Sequence, residues 1–144
     1  MIDISSKPVT KRAASARAVI TLGSSAMRAL LEDRSPKGNV LEAAKIAGIM
    51  AAKATPQIIP YCHPLELNKV NIAFEIDEKA SKIAIISEVI CWGKTGVEME
   101  AMTAVTVSAL TIYDMMKWAD KGMVISEVQL LTKTGGKSGD FQRK

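Results

Sequence analysis

The amino-acid sequence predicts an α+β fold, with one antiparallel sheet and its helices packed on one face. Three observations predict it. Two segments, Lys69–Asp77 and Met123–Thr132, alternate apolar and polar residues with the period of a half-buried strand. The segment from Asn39 to about Ala54 repeats apolar residues at helical spacing, and Val97–Lys121 reads as a longer helix. A short polar stretch, Asp77–Ser81, joins one strand to a return strand as a hairpin turn does.

Taken in order, Arg17–Leu22 (RAVITL) suits a short strand stopped by Gly23. Ser24 is suited to cap a short helix to about Asp33, carrying Met27, Leu30 and Leu31. Ser35-Pro36-Lys37-Gly38 reads as a turn, and Asn39 as the cap of a second helix to about Ala54. The apolar positions 40, 43, 44, 47, 50 and 51 share a face of that helix, with Lys45 off it. In Lys69–Asp77, Val70, Ile72, Phe74 and Ile76 take one face, and Lys82–Cys91 is the return strand. Val97–Lys121 reads as one long helix ended by Gly122, and Met123–Thr132 as the last strand, before a Gly- and Lys-rich tail from Thr134. Strand, helix, two strands, helix, strand is the split βαβ arrangement of ferredoxin-like domains, βαββαβ. Residues 1–144 are expected to form one domain.

Hydrophobic residues make up 48% of the chain and charged residues 24%, the balance of a globular protein rather than a disordered one. With only two Trp, two Tyr and two Phe, the core must be aliphatic. No apolar run reaches the ~18 residues of a membrane span. Met1-Ile2-Asp3-Ile4 lacks the basic and apolar regions of a secretory signal, so a cytoplasmic location is expected. Cys62 and Cys91 allow one disulfide arithmetically, and a reducing compartment disfavours it. The net charge of +4 serves solubility or an anionic ligand, and the placement of the lysines decides which.

Four stretches hold residues suited to chemistry. Ile58–Leu65 contains His63, the one histidine, between Pro60 and Pro64, and it reads either as a proton carrier or as a structural loop residue. Two cysteines and one histidine fall short of a closed four-ligand zinc site without carboxylates. Gly93–Glu100 sets Glu98 and Glu100 at the start of the long helix. The helix dipole favours acids there, and both can face one site only if the helix has not yet begun. Asp114 and Lys117 sit among apolar neighbours, which predicts a partly desolvated acid with its pKa pushed toward neutral. Lys133–Gly139 (KTGGKSG) looks like an anion cradle of glycine amides and lysines, or a basic tail. It is not a P-loop, because Leu131 stands where the first glycine is required. Glu100 and Asp114, if on one helix, lie about 21 Å apart, so they serve different sites or a site shared between chains.

These blocks together resemble the MoaC family, the cyclic pyranopterin monophosphate synthases. KGNVLEAAKIAGIMAAKAT, IIPYCHPLEL, GKTGVEMEAMTAVTVSALTIYDMMK and LLTKTGGKSGDF match in order, with TKRAASA before them. The resemblance implies a lyase of molybdenum cofactor biosynthesis. Its substrate would be 3′,8-cyclo-7,8-dihydroguanosine triphosphate and its products cyclic pyranopterin monophosphate and pyrophosphate. It also implies a homohexamer, a trimer of dimers with interfacial sites, and no nucleic-acid partner. Residue by residue, it implies Asp114, Lys117 and His63 as catalytic groups. For substrate binding it implies Tyr61, Cys62, His63, Met99, Glu100, Glu98, Arg12, Lys37, Lys53, Lys133 and Lys137. Tyr61, Asn39 and Trp92 depart from the commoner pattern and bear on binding detail. Magnesium often accompanies polyphosphates, uses few protein carboxylates, and leaves little trace in sequence.

Two other readings compete. A non-catalytic nucleotide sensor of this fold would bind without turnover. An RNA-binding domain would stack bases on sheet aromatics, and Phe74 alone in the central strands, with Trp92 just beyond, serves that poorly.

Overall fold

The computed structural model describes residues 1–144. The elements are β1 (Thr10–Thr21), α1 (Ser24–Leu31), α2 (Val40–Ile58), β2 (Leu67–Asp77), β3 (Lys82–Gly93), α3 (Glu98–Met116), β4 (Val124–Thr134) and β5 (Phe141–Gln142). The sheet order is β2-β3-β1-β4-β5, antiparallel throughout. Its first four strands follow the expected ferredoxin-like order.

Register explains the single core face. Ala14, Ala16, Ala18 and Ile20 of β1 stand opposite Val89, Ser87, Ile85 and Ile83 of β3. All eight are buried, on the side where α2 and α3 pack. On β2, Ile72 is buried opposite Ser87, with Val70 and Phe74 half-buried beside it. The alternate residues, such as Ser15, Arg17 and Glu88, face away, and this face carries the Arg17–Glu127 and Lys69–Glu88 ion pairs.

Several boundaries differ from expectation for identifiable reasons. β1 begins at Thr10 rather than Arg17. Its first half is rich in alanine, a poor strand former, and is held by pairing on both edges. Gly23, not Ser24, is the N-cap of α1, and its N–H donates to Asp120 Oδ2 at 2.7 Å. α1 ends at Leu31, which is exposed rather than in the core. Asn39 does cap α2, accepting from Glu42 N–H at 2.9 Å, but the helix continues through Pro56 to Ile58.

The buried stripe of α2 is 40, 44, 48, 51, 52 and 55, rotated away from Met50, which is exposed. Gly48 sets this rotation. A Cβ there would lie 2.2 Å from Ser108 Oγ and 3.0 Å from the Ala104 carbonyl, so α2 and α3 touch backbone to side chain. Ser108 Oγ–H closes the contact by donating to the Ala44 carbonyl at 2.8 Å.

α3 stops at Met116, not Lys121, because the chain turns there to bring Asp120 to Gly23 and Gly122. The tail is not all loop: β5 pairs with Thr132 and Lys133. No helix is long and apolar enough to cross a membrane.

Candidate active site

The start of α3, the start of β1 and the end of β4 converge on one cleft of about 580 Å³. Lys7, Arg12, Glu98, Lys133, Lys137 and Ser138 are among its lining residues. The glycine loop lies against β1. Gly135 and Gly136 have φ of 89° and 88°, and a Cβ on Gly136 would fall 2.0 Å from Arg12 Nη1. Arg12 is only 9% exposed. Its one hydrogen bond runs from Nη2 to the Lys94 carbonyl at 3.4 Å, and its buried Nε has no partner. A buried guanidinium without a carboxylate is costly in isolation and is suited to an arriving anion. Lys133 Nζ lies 3.5 Å from Glu98 Oε1 and donates to Ser138 Oγ at 2.7 Å.

A second cleft of about 340 Å³ shares Thr95, Gly96 and Glu98 with the first, so the two are continuous. Tyr61, Cys62, His63, Met99 and Glu100 complete its wall. His63 Nε2 donates to the Ile2 carbonyl at 2.8 Å. Helix α3 begins at Glu98 itself, and both Glu98 and Glu100 line this cleft from its first turn. Glu100 is 3% exposed. Burial raises its pKa to about 6, a backbone N–H opposes the rise, and Glu98 adds to it. Burial likewise raises the Cys62 thiol, with Glu100 contributing. Cys62 and Cys91 are both free thiols.

The other end of α3 holds a separate cluster. Asp114 accepts from Lys37 Nζ at 2.5 Å and from Lys117 Nζ at 2.8 Å. Hydrogen bonds from Lys117 and then Lys37 hold its pKa down at about 2, and the same pairing raises Lys117. This corrects the expected desolvated, near-neutral aspartate. With α3 ending at Met116, Asp114 lies in the last turn with its side chain about half exposed. The acid that burial does shift toward neutrality is Glu100.

The sequence candidates therefore fall into two groups. Arg12, Lys133, Lys137, Glu98, Glu100, Met99, Tyr61, Cys62 and His63 line the joined clefts. Lys37, Asp114 and Lys117 lie at the far end of α3, about 21 Å along its axis from Glu100 at ~1.5 Å per residue. Lys53 is exposed on α2 and lines neither of the joined clefts.

Sequence reasoning did not single out Lys7, Thr10 or Thr95, which also line the first cleft. Their only signal was position: two precede Arg12 and one precedes the acid pair. No three His, Cys, Asp or Glu side chains converge, so the residues present form no protein cage for magnesium.

The family model that matches is described as the MoaC family, over residues 1–136. The chain is 50% identical to a cyclic pyranopterin monophosphate synthase of Parvibaculum lavamentivorans, across all of this chain and 90% of that protein. It is 54% identical to the protein of the same name from Staphylococcus carnosus, again across all of this chain and 90% of that one. It is also 54% identical to that of Listeria monocytogenes serotype 4a, across 99% of this chain and 88% of the relative.

Proposed function

The chain belongs to the MoaC family, and on that premise we propose that it is a lyase of molybdenum cofactor biosynthesis. It converts 3′,8-cyclo-7,8-dihydroguanosine triphosphate to cyclic pyranopterin monophosphate and releases pyrophosphate. One observation carries the reading at the level of the site: the buried Arg12, its Nε without a partner, beside the glycine loop in a cation-lined cleft continuous with an acid-lined one. Such a channel suits a molecule with polyphosphate at one end and a base rich in N–H donors at the other.

The residues divide the work accordingly. Arg12, Lys133 and Lys137 bind phosphate oxygens and stabilise the departing pyrophosphate. Glu98 and Glu100 accept hydrogen bonds from the base, and Tyr61, Cys62 and Met99 wall its pocket. His63 and Lys117 move protons during ring opening and pterin closure, with Asp114 as the third catalytic group beside Lys117. Asp114 stays ionised between two lysines, so its part is to hold Lys117 charged and positioned. Lys37 adds positive charge beside Asp114, and Lys53 adds it from the exposed side of α2.

Residues 1–144 work as one domain, in the cytoplasm, and the complete site forms where subunits of a homohexamer, a trimer of dimers, meet. The separation of the two clusters along α3 supports that assembly. So do the exposed Ile46 and Met50 on α2 and Leu110 on α3.

The test is incubation with the cyclised nucleotide while pyrophosphate is measured. The intact chain is expected to release it, and Asp114→Asn and Lys117→Ala each to lose at least about a hundredfold in rate. Binding without turnover by the intact chain would make it a sensor instead. Near-normal rates in both variants would remove Asp114 and Lys117 from the chemistry.

A further inference from the structure

Residues 1–7 precede β1 and hold none of the groups assigned so far, yet they lie across the site. Met1, Ile2, Ile4 and Lys7 form a further cleft of about 450 Å³ with Tyr61, His63 and Thr95. Lys7 also lines the cleft that holds Arg12. Two backbone carbonyls of the segment fasten it to His63 and to Lys94, the neighbour of Thr95. Ile2 accepts from His63 Nε2 at 2.8 Å, and Ser5 accepts from Lys94 Nζ at 2.8 Å.

The segment has a defined shape. Ser5 N–H and Oγ–H both donate to Asp3 Oδ1, at 2.8 and 2.6 Å, and Lys7 N–H donates to the Ile4 carbonyl at 3.1 Å. Met1 and Ile2 nonetheless remain largely exposed, so few apolar contacts hold it down.

We propose that residues 1–7 are a strap over the substrate channel, fixing His63 with a proton on Nε2 and delivering Lys7 as a further phosphate-binding cation. A carbonyl oxygen only accepts, so the Ile2 contact requires a proton on Nε2. In the neutral ring the lone pair is then on Nδ1, and His63 takes up a proton there. The same contact stops the ring from turning over. Lys7 enters no ion pair, unlike Lys133, which shares Glu98. Its charge is therefore free for an anion in the cleft it lines. The assignment of Lys7 to phosphate rests on the nucleotide reading above; the clamp on His63 does not.

Two measurements on the otherwise intact chain test the strap. The one histidine gives a single set of ring signals in long-range ¹⁵N–¹H NMR. A slowly exchanging Nε2–H is expected in the intact chain and its loss on deleting residues 1–4, with an unchanged melting temperature showing that the fold survives. An Nε2–H equally protected in both overturns the clamp. For the cation, Lys7→Gln is expected to weaken binding of inorganic pyrophosphate about tenfold or more, while Lys79→Gln, in the β2–β3 turn, leaves it unchanged. Equal affinities in the two variants overturn the role of Lys7. If the intact chain fails to turn over the cyclised nucleotide, the function fails, and the Nε2–H signal still decides the strap.

Discussion

Glu100 and Asp114 are carboxylates of one helix with opposite fates. Burial at the first turn raises Glu100 to about 6, and two lysines at the last turn hold Asp114 near 2. For Glu100 the folded value lies above the ordinary 4.5. The folded state therefore keeps its proton more tightly, and the resulting stability is present at low pH and lost as pH rises through about 6. Glu100→Gln is accordingly expected to stabilise the fold relative to the parent more at pH 8 than at pH 5. The difference should be on the order of 1–2 kcal/mol by urea denaturation. Asp114 has the reverse sign: its contribution is present at neutral pH and lost only as pH falls toward 2. Because its side chain is about half exposed, Asp114→Asn should leave the neutral melting temperature nearly unchanged while turnover falls. Both residues were legible in the sequence, but their electrostatics were not. Exposure depends on where α3 ends, and Asp120, which ends it, acts through a contact with Gly23 far away in the chain.

At the scale of elements, alternation revealed β2 and the hairpin, and helical spacing revealed α2, because each is amphipathic enough to record its own burial. Helix α3, apolar nearly all round, was legible by its length and by the glycine beyond it. Both patterns failed where burial is done by small residues. Ala14 and Ala16 are core positions of β1, and Gly48 is the contact point of α2, yet none announces itself by hydrophobicity. These positions are correspondingly sensitive to added volume. Gly48→Ala must displace Ser108 Oγ and crowd the Ala104 carbonyl, with an expected loss of about 1–3 kcal/mol in chemical denaturation. Gly136→Ala strains a φ of 88° and drives a methyl into the Arg12 guanidinium. It should weaken pyrophosphate binding by calorimetry about tenfold or more by disturbing a charge-assisted contact, while β1 and β4 stay paired. The glycine loop was readable as an anion cradle from composition. Its seat on a buried arginine was not, since that requires the β1–β4 register.

At the scale of the whole molecule, the proposed site is split into two half-sites on one chain. The joined clefts hold Arg12, Lys133, Lys137 and the acid pair, and the far end of α3 holds Lys37, Asp114 and Lys117. A rigid helix fixes their separation, so a single small substrate meets both only if a second chain supplies one of them. Mixing two inactive variants tests this most directly. Glu100→Gln disables one half-site and Asp114→Asn the other, and the two chains are refolded together and assayed for pyrophosphate release. If the site is shared between subunits, each variant alone is inactive, and a one-to-one mixture of pairwise sites recovers about a quarter of the parent rate. A mixture that exchanges subunits by mass spectrometry yet stays as inactive as its components would contradict a site built from two chains.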